Sequence, residues 1–73
     1  QVQWSPTGKR LSYTSYSNKE TTLWIMDYES GRLTPVLEKQ KNFSRYLWSP
    51  DEHTIFFELN EKNEYDKTGL RKI

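Results

Sequence analysis

The sequence has no cysteine among its 73 residues, which excludes disulfide bonds and any metal site that uses thiolate ligands. Proline, glycine and histidine are also scarce, with three, three and one copies respectively. No apolar run approaches the roughly 18 residues that a membrane-spanning helix requires. We therefore expect a chain that is neither cross-linked nor inserted into a membrane.

Neither sign of charge is present in excess. Eleven Lys and Arg residues offset ten Asp and Glu residues, for a formal net charge of +1. The two signs alternate along the chain, so no strong field exists to attract nucleic acid or an anionic membrane. Basic residues with tyrosines nearby, as in proteins that stack on bases, are Arg10, Lys39, Lys41 and Arg45. The charge balance argues against nucleic-acid binding.

Aromatic side chains are what the sequence has in quantity: three Trp, five Tyr and three Phe. They stand among Ser and Thr residues, while aliphatic residues are few. Flat rings and β-branched side chains pack well on a pleated surface. The composition therefore predicts an all-β fold whose core is built from aromatic rings.

Short alternating or apolar segments, separated by turn residues, indicate where the strands lie. The segment that begins at Thr21 is the most apolar, so we expect it, together with Trp24, in the core. Pro35 has no N–H to offer a neighbouring strand, so its strand should lie at a sheet edge. Polar connections are predicted over residues 38–42 and 60–68. The predicted strands span residues 10–16, 21–27, 33–37, 43–48, 54–59 and 70–73.

One motif occurs twice. The segment WSPTGKRLSY begins at Trp4, and WSPDEHTIFF begins at Trp48, which is 44 positions later. In each copy the Ser-Pro pair favours a tight turn between two strands, and Asp51 is expected to cap the second turn. The matched positions of the two tryptophans predict that each covers its turn and packs between repeats. The repeat motif comprises Trp4, Ser5, Pro6, Gly8, Trp48, Ser49, Pro50 and Asp51.

Four strands in a period of about 40–45 residues are typical of a β-propeller blade. Residues 1–42 are predicted to form a four-stranded antiparallel blade, and residues 43–73 an incomplete second blade. A closed propeller needs about four to eight blades. We therefore expect either a fragment of a larger propeller, whose remaining blades are its partners, or a ring of several copies. The missing initiator Met and the end within a strand favour the fragment.

The two copies resemble the TolB-type WD-like β-propeller repeat, whose pattern is similar to W-S-P-D-G-K-x-I-A-F/Y-x-S, followed by a strand that ends in M-D or M-N. The first copy fits at WSP, at Gly8 and at the strand LWIMD that begins at Leu23. The second copy fits at WSPD. The resemblance covers nearly the whole chain. The departures from the pattern are Thr7, Ser12, Glu52 and His53.

This resemblance implies a non-catalytic scaffold that mediates protein–protein interaction with other envelope proteins, in the periplasm or otherwise outside the bacterial cytoplasm. Two alternatives stay open. Propellers of this type also gate access to the catalytic domain of prolyl-oligopeptidase-type serine peptidases, and others are sensory modules of envelope regulators. The repeated residues build the scaffold in all three cases, so they do not separate them.

No catalytic, cofactor-binding or metal-binding residue is predicted. The sequence contains neither a Gly-x-Ser-x-Gly motif nor a phosphate-binding loop. Its one histidine, His53, has no catalytic or ligating partner at a recognisable spacing, so we interpret it as a turn residue. Glu61, Glu64 and Asp66 fall in one segment, but that segment lacks the central Gly of a calcium-binding loop.

Binding residues of a rigid scaffold are concentrated in its loops. Two loops differ in length between the copies, and they are the predicted interaction sites. The candidate residues are Ser17, Asn18, Lys19 and Glu20 in one loop, and Asn60, Glu61, Lys62 and Asn63 in the other.

Overall fold

The computed structural model describes the backbone of residues 2–60 and 66–73, and the side chains of the same residues except 66 and 67. All the regular structure in this part of the chain is β-strand, so the predicted all-β fold is confirmed. The seven strands are β1 (Val2–Trp4), β2 (Arg10–Ser17), β3 (Glu20–Asp27), β4 (Leu33–Lys41), β5 (Phe43–Trp48), β6 (Thr54–Asn60) and β7 (Asp66–Lys72).

The strands form two antiparallel sheets, one of four strands in the order β1-β2-β3-β4 and one of three strands in the order β5-β6-β7. Within each sheet, strands that follow one another in the chain pair with each other, as expected for short hairpin connections. This arrangement confirms the predicted fold class, a four-stranded antiparallel blade with part of the next. Pro35 lies on β4 at an edge of the first sheet, as its missing N–H predicts.

The turn between β2 and β3 is shorter than the loop predicted from the sequence. Ser17 and Glu20 pair with each other as the last residues of their strands, so only Asn18 and Lys19 form the turn. Their φ angles are 52° and 62°, which is the left-handed pair that a two-residue turn needs to match the twist of its strands. The prediction of a four-residue loop was therefore wrong in its extent.

The predicted connection over residues 38–42 was also wrong, because β4 continues to Lys41. Gln40 pairs with Thr21, and the register of the pairing shifts near Lys39, whose φ is 53°. An exposed edge strand needs backbone pairing but no apolar side chains, so polar composition does not exclude it. Asn42 alone, with a φ of 61°, joins the two sheets.

The last strand begins earlier than the sequence pattern suggests. Residue 66 already pairs with Asn60, and the pairing continues to Lys72. The predicted strand over residues 70–73 was therefore too short, and the predicted loop over 60–68 too long. Gly69 pairs with Phe57, and its missing side chain leaves room for the Phe57 ring, which lies directly over it.

The two sheets pack face to face around one core. Burying an aliphatic or aromatic side chain contributes about 1.5–3 kcal/mol, and both sheets supply such side chains to this layer. The buried apolar residues are Leu23, Ile25, Val36 and Leu37 from the first sheet, and Tyr46, Trp48 and Ile55 from the second.

Alternation along the strands gives each sheet two different faces. We call the faces that meet in the core the covered faces and the two opposite ones the free faces. The covered faces carry Ser12, Leu23 and Ile25 in the first sheet, and Tyr46, Trp48 and Ile55 in the second. The free faces carry Val2, Trp4, Leu11, Tyr13 and Trp24 in the first sheet, and Leu47, Phe56 and Leu70 in the second.

Candidate functional site

The first Trp-Ser-Pro turn is built around Ser5, which is buried. The Ser5 N–H donates to the Arg10 carbonyl at 2.8 Å, and the Gly8 N–H donates to the Ser5 carbonyl at 2.8 Å. The Ser5 hydroxyl accepts a third hydrogen bond from the Arg10 N–H at 3.0 Å. One serine thus closes the turn with both its backbone groups and its side chain, which explains why Ser is the first residue of the turn.

The second turn repeats these three hydrogen bonds around Ser49. The distances are 2.9 Å from the Ser49 N–H to the Thr54 carbonyl, 3.0 Å from the Glu52 N–H to the Ser49 carbonyl, and 3.1 Å from the Thr54 N–H to the Ser49 hydroxyl. Glu52 has a φ of 64°, and Gly8 at the matching position has a φ of 75°. The two copies therefore share one backbone conformation, although Glu adopts it at a steric cost that Gly avoids.

Asp51 supports the second turn from outside. Its carboxylate accepts hydrogen bonds from the Ser49 hydroxyl at 2.6 Å and from the His53 N–H at 3.0 Å. These two bonds, in that order of strength, hold the pKa of Asp51 below its ordinary value. His53 is exposed in the turn, in agreement with its interpretation as a turn residue.

The two motif tryptophans lie in different environments. Trp48 has 6% of its surface exposed and packs in the core between the sheets, as predicted. Trp4 has 53% of its surface exposed, so its packing between repeats is not seen among the described residues and stays a prediction. Its face of the first sheet has no neighbouring sheet among the described residues, and Trp4 instead meets Tyr28 edge-on, with 5.6 Å between ring centroids.

Trp24 was also expected in the core, and this prediction was wrong in part. It is half-buried and lies on the free face of the first sheet, where its indole N–H donates to the Ser15 hydroxyl at 2.8 Å. The apolar neighbours Leu23 and Ile25 point to the opposite face and form the core there. An unbroken apolar run therefore has one buried side and one open side.

The interface between the covered faces of the two sheets is called the seam below. Ser12 is the centre of a polar cluster inside it. Its hydroxyl donates to the Gln3 carbonyl at 3.1 Å and accepts from the Trp48 indole N–H at 2.9 Å. The Tyr46 hydroxyl lies 2.8 Å away and takes the donor role in this bond, because the Ser12 proton is already used. Every hydrogen-bonding position of this fully buried hydroxyl is thus occupied.

The Gln3 side chain adds one further hydrogen bond across the same cluster. The Gln3 side-chain amide donates to the Tyr46 carbonyl at 3.2 Å. Burial raises the pKa of Tyr46, while its hydrogen bond with Ser12 opposes that rise. The phenol therefore stays protonated and remains a donor at neutral pH.

Glu52 links the two turns directly. Its carboxylate accepts the Thr7 N–H at 2.9 Å, although the two residues are 45 positions apart. Its pKa is lowered first by the Thr7 hydroxyl, against the opposing effect of burial, and then by the Ser5 hydroxyl, the Thr7 N–H and the charge of Arg10. The residue that departs from the glycine of the repeat is therefore the one that holds the neighbouring turn.

Arg10 completes the seam at the same end. Its guanidinium donates to the Glu52 carbonyl and lies 3.9 Å from the Glu52 carboxylate. It also stacks over the Trp48 ring at 5.0 Å from the centroid, a cation–π contact worth about 0.5–2 kcal/mol. Arg10 of the first sheet thus contacts both the turn and the tryptophan of the second sheet.

Sequence reasoning noted Ser12 and Glu52 as departures from the repeat pattern, but it assigned no contact to them. Both are seam residues in the structure. The sequence did mark these two positions, since each holds a polar residue where the repeat has a small apolar residue or Gly. The roles of Gln3 and Arg10 gave no signal, because polar residues near a turn are ordinary.

A basic cleft of about 390 Å³ opens at one end of the seam. The cations are Arg10 of β2, Arg32 of the turn between β3 and β4, and Arg71 and Lys72 of β7, while Asp27 contributes a carboxylate. Hydrogen bonds from the Ser30 N–H and hydroxyl hold the pKa of Asp27 below its ordinary value. The cleft therefore has an excess of positive charge at neutral pH.

The predicted interaction loops are only partly described by the structure. Asn18 and Lys19 are exposed at the hairpin tip, with Ser17 and Glu20 in the flanking strands. Asn60 ends β6. Glu61, Lys62 and Asn63 lie outside the described residues, and so does Glu64 of the acidic segment.

The described residues hold no cluster of three or more His, Cys, Asp or Glu side chains that is arranged for a metal ion. The same part of the chain contains no helix long and apolar enough to cross a membrane.

Comparison with known proteins finds similarity to a TolB protein. No protein-family model and no solved structure matches the chain. The chain is 30% identical over 77 aligned residues to a protein described as "Tol-Pal system protein TolB" from Anaeromyxobacter dehalogenans, and the match covers 96% of the chain. The chain spans only 18% of the length of that relative. Together with the two antiparallel sheets, this similarity is consistent with a TolB-type repeat.

Proposed function

We propose that this chain is a non-catalytic part of a TolB-like β-propeller scaffold, located outside the cytoplasm, that acts by binding other proteins. The observation that carries the proposal is the seam: two copies of one strand-turn-strand unit stack through a buried polar cluster and a turn-to-turn carboxylate contact. The similarity to TolB over nearly the whole chain supports it.

The seam makes the chain suited to presenting loops. The Ser12 cluster and the Glu52 contact each join the two sheets at defined atoms, so one sheet cannot slide on the other without breaking buried hydrogen bonds. A buried donor or acceptor left unsatisfied costs about 1–3 kcal/mol. Loops attached to such a frame keep their positions, which reduces the entropy that binding must overcome.

The hairpin tip is the binding site we propose among the described residues. Asn18 and Lys19 project from the ends of two eight-residue strands and are exposed. Both residues adopt the left-handed backbone conformation, so the turn has little conformational freedom. A rigid exposed tip with one cation fits a partner surface that offers an acidic residue.

The test is a binding titration against the Pal protein of a Tol-Pal system, since the relative's name associates TolB with that system. Biolayer interferometry with the immobilised chain should show saturable binding. Lys19→Glu should weaken it about tenfold, which corresponds to about 1.4 kcal/mol. The matched control is Lys9→Glu, the same charge reversal at an exposed residue of the first Trp-Ser-Pro turn, and it should change the affinity less than about twofold.

Two results would overturn the proposal. Absence of saturable binding by a chain that shows the β-sheet circular dichroism spectrum would remove the interaction with Pal. Equal weakening by Lys19→Glu and Lys9→Glu would remove the hairpin tip as its site and leave only a general charge effect.

A further inference from the structure

The residues that repeat in this chain and the residues that join its two sheets are different sets. The Trp-Ser-Pro motif and its turn hydrogen bonds recur after 44 positions. Among the side chains that bond across the seam, Trp48 recurs, as Trp4, and the others do not. We call these others the seam set: Gln3, Arg10, Ser12, Tyr46 and Glu52. Repetition therefore accounts for the turns, whereas the seam depends on residues that are specific to one copy.

The part of the seam set that belongs to the first sheet is replaced by unsuitable residues at the equivalent positions of the second sheet. Leucine and phenylalanine side chains neither donate nor accept hydrogen bonds. A threonine has neither the charge of arginine nor the flat group that stacks on a ring. The free face of the second sheet, which holds these equivalents, therefore offers none of these contacts. The equivalent pairs are Gln3 and Leu47, Arg10 and Thr54, and Ser12 and Phe56.

The part that belongs to the second sheet is replaced in the same way in the first. Tyr46 corresponds to Val2, which has no hydroxyl, and Glu52 corresponds to Gly8, which has no carboxylate. The φ angles of Glu52 and Gly8 are 64° and 75°, so the backbone is alike at this pair of positions. The two copies therefore differ there in the side chain.

A wrong pairing of sheet faces would leave polar groups without partners on either side. Against a phenylalanine at the position of Ser12, the Tyr46 hydroxyl and the Trp48 indole N–H would both lose their bond across the seam. Against a valine and a glycine at the positions of Tyr46 and Glu52, the Ser12 hydroxyl would lose one donor and Arg10 its carboxylate. Buried polar groups without partners are destabilising.

Burial gives these contacts the power to discriminate between neighbours. Ser12 has none of its surface exposed, Tyr46 has 4% and Glu52 has 7%, so water has little access to replace a missing partner. With the present pairing, no buried side-chain polar atom among the described residues lacks a partner. The ion pair of Arg45 with Glu58 is different, because the Arg45 side chain is 72% exposed and water can replace its partner.

We propose that the seam set selects the neighbouring sheet. The covered face of the first sheet accepts a sheet that offers a tyrosine hydroxyl and a carboxylate at the positions of Tyr46 and Glu52, and it rejects a sheet of the same repeat type that offers Val and Gly there. The selection applies equally to a sheet of the same polypeptide and to a sheet of another copy, because both carry the same mismatches. These polar residues thereby set the order in which repeats stack. This inference goes beyond the binding of a partner protein and does not depend on it.

The test exchanges members of the seam set for their repeat equivalents in the intact chain, singly and in matched pairs. Ser12→Phe and Tyr46→Val should each lower the equilibrium constant for folding at least about a hundredfold, through overpacking or a cavity and an unpaired hydroxyl. The double variant should recover at least about tenfold relative to the product of the two effects. The reason is that the phenylalanine ring can use the space of the tyrosine ring, and neither hydroxyl remains.

A milder pair serves if those variants do not fold. Arg10→Thr and Glu52→Gly are also exchanges for repeat equivalents, and the glycine relieves the left-handed strain at its position. Their combined effect should be at least about fivefold smaller than the product of the single effects. The matched control makes the same changes, Arg45→Thr and Glu58→Gly, in the exposed ion pair within the second sheet. Its coupling should stay within about twofold. Urea unfolding measures all of these constants.

Two results from these cycles would overturn the proposal. One is single effects that multiply without recovery in the matched doubles. The other is a control pair that couples as strongly as the seam pair, because that would make the coupling a general property of contacts in this chain.

A separate readout distinguishes selection of a neighbour from stability alone. The triple variant Ser12→Ala, Tyr46→Phe and Glu52→Gly keeps most of the apolar contact of the seam and removes its discrimination. We expect its nitrogen–proton correlation spectrum to show more than one peak for many amides, because the sheets then pack in several arrangements. The original chain should show one peak for each amide. One sharp set of peaks from the triple variant would show that the covered faces find each other without the seam set, and the proposal would fail.

Discussion

The two Trp-Ser-Pro copies adopt the same turn with the same three backbone and serine hydrogen bonds, yet one tryptophan is buried and the other is exposed. The local sequence determines the turn in both copies. Whether the ring is buried depends on the neighbouring sheet, which covers Trp48 and leaves Trp4 open. The repeat motif therefore determines the conformation of the turn, whereas burial of its tryptophan requires a neighbouring sheet.

The largest expected effect separates the two tryptophans. Trp48→Ala should lower the free energy of unfolding by about 3–5 kcal/mol, as for a buried aromatic side chain, because it also removes a bond to Ser12 and the surface beneath Arg10. Trp4→Ala should cost less than about 1 kcal/mol, since half of the ring is exposed. Urea unfolding followed by far-UV circular dichroism, at a concentration that keeps the chain monomeric, measures both.

A second substitution sharpens this contrast. Trp48→Phe keeps much of the packing and loses the indole N–H, so it should fall between the two alanine variants. Equal losses for Trp4→Ala and Trp48→Ala would mean that the two tryptophans are buried alike.

The next effect concerns a cross-strand pair in each sheet, formed by a residue of the strand that follows the Trp-Ser-Pro turn and its partner on the adjacent strand. In the first sheet Tyr13 pairs with Trp24, and in the second Phe57 pairs with Gly69. A methyl group on Gly69 would enter the space of the Phe57 ring, so Gly69→Ala should cost about 1–3 kcal/mol through overpacking. Thermal unfolding measures it.

Removing the ring shows whether packing is the cause. In the background Phe57→Leu, Gly69→Ala should cost much less, because the leucine side chain is shorter and leaves space for the methyl group. A cost that persists in that background would mean that the backbone, and not the ring, requires glycine at this position.

A smaller effect is expected at the Ser12 cluster. Tyr46→Phe removes one donor to Ser12 and should cost about 1 kcal/mol, because the Ser12 hydroxyl keeps its bonds to Trp48 and Gln3. Val2→Phe, at the equivalent position on the free face, should change stability by less than about 0.5 kcal/mol. Chemical denaturation of both variants compares a polar seam position with its apolar counterpart.

The smallest expected effect is the loss of folding stability when Glu52 is protonated at low pH. Its pKa is lower in the folded chain than in the unfolded one, so its contribution to stability is present above the unfolded pKa of about 4.3 and disappears as the pH falls through the folded value. Glu52→Gln should therefore make the fall in stability between about pH 5 and pH 3 less steep. Asp27 and Asp51 titrate in the same direction, so part of the slope will remain.

Comparison of melting temperatures at the two pH values measures this change, and Glu29→Gln is the control at an exposed carboxylate. An unchanged slope in Glu52→Gln would show that the carboxylate contact to Thr7 contributes no stability. A steeper slope would reverse the sign of the argument.

The sequence predicted the features that depend on local chemistry. Repetition of Trp-Ser-Pro indicated two equivalent units, and Pro35 indicated an edge strand, because each constraint lies within a few residues. Strand ends were predicted less well. The polar segment around Lys39 pairs with β3 despite its composition, since backbone hydrogen bonds at a solvent-exposed edge do not require apolar side chains.

The seam was not predicted, because its residues are far apart in sequence. Ser12 bonds to residues 34 and 36 positions away, and Glu52 to one 45 positions away. A single sequence contains no information on which polar residue meets which across two sheets. The sequence does show where a residue departs from the repeat pattern. At Ser12 and Glu52 the departing residue is also the one that makes a contact between the sheets.

The neighbour-to-neighbour pairing of the strands has a consequence for how the chain folds. Hairpins form within about 1–10 µs, and every hairpin in this molecule is local, whereas docking of the sheets must bring together residues at least 34 positions apart. Each sheet can therefore assemble before the seam closes, as in proteins whose repeats fold semi-independently. Tyr46→Phe should then speed unfolding and leave the folding rate nearly unchanged in stopped-flow experiments, whereas slower folding would place the seam in the transition state.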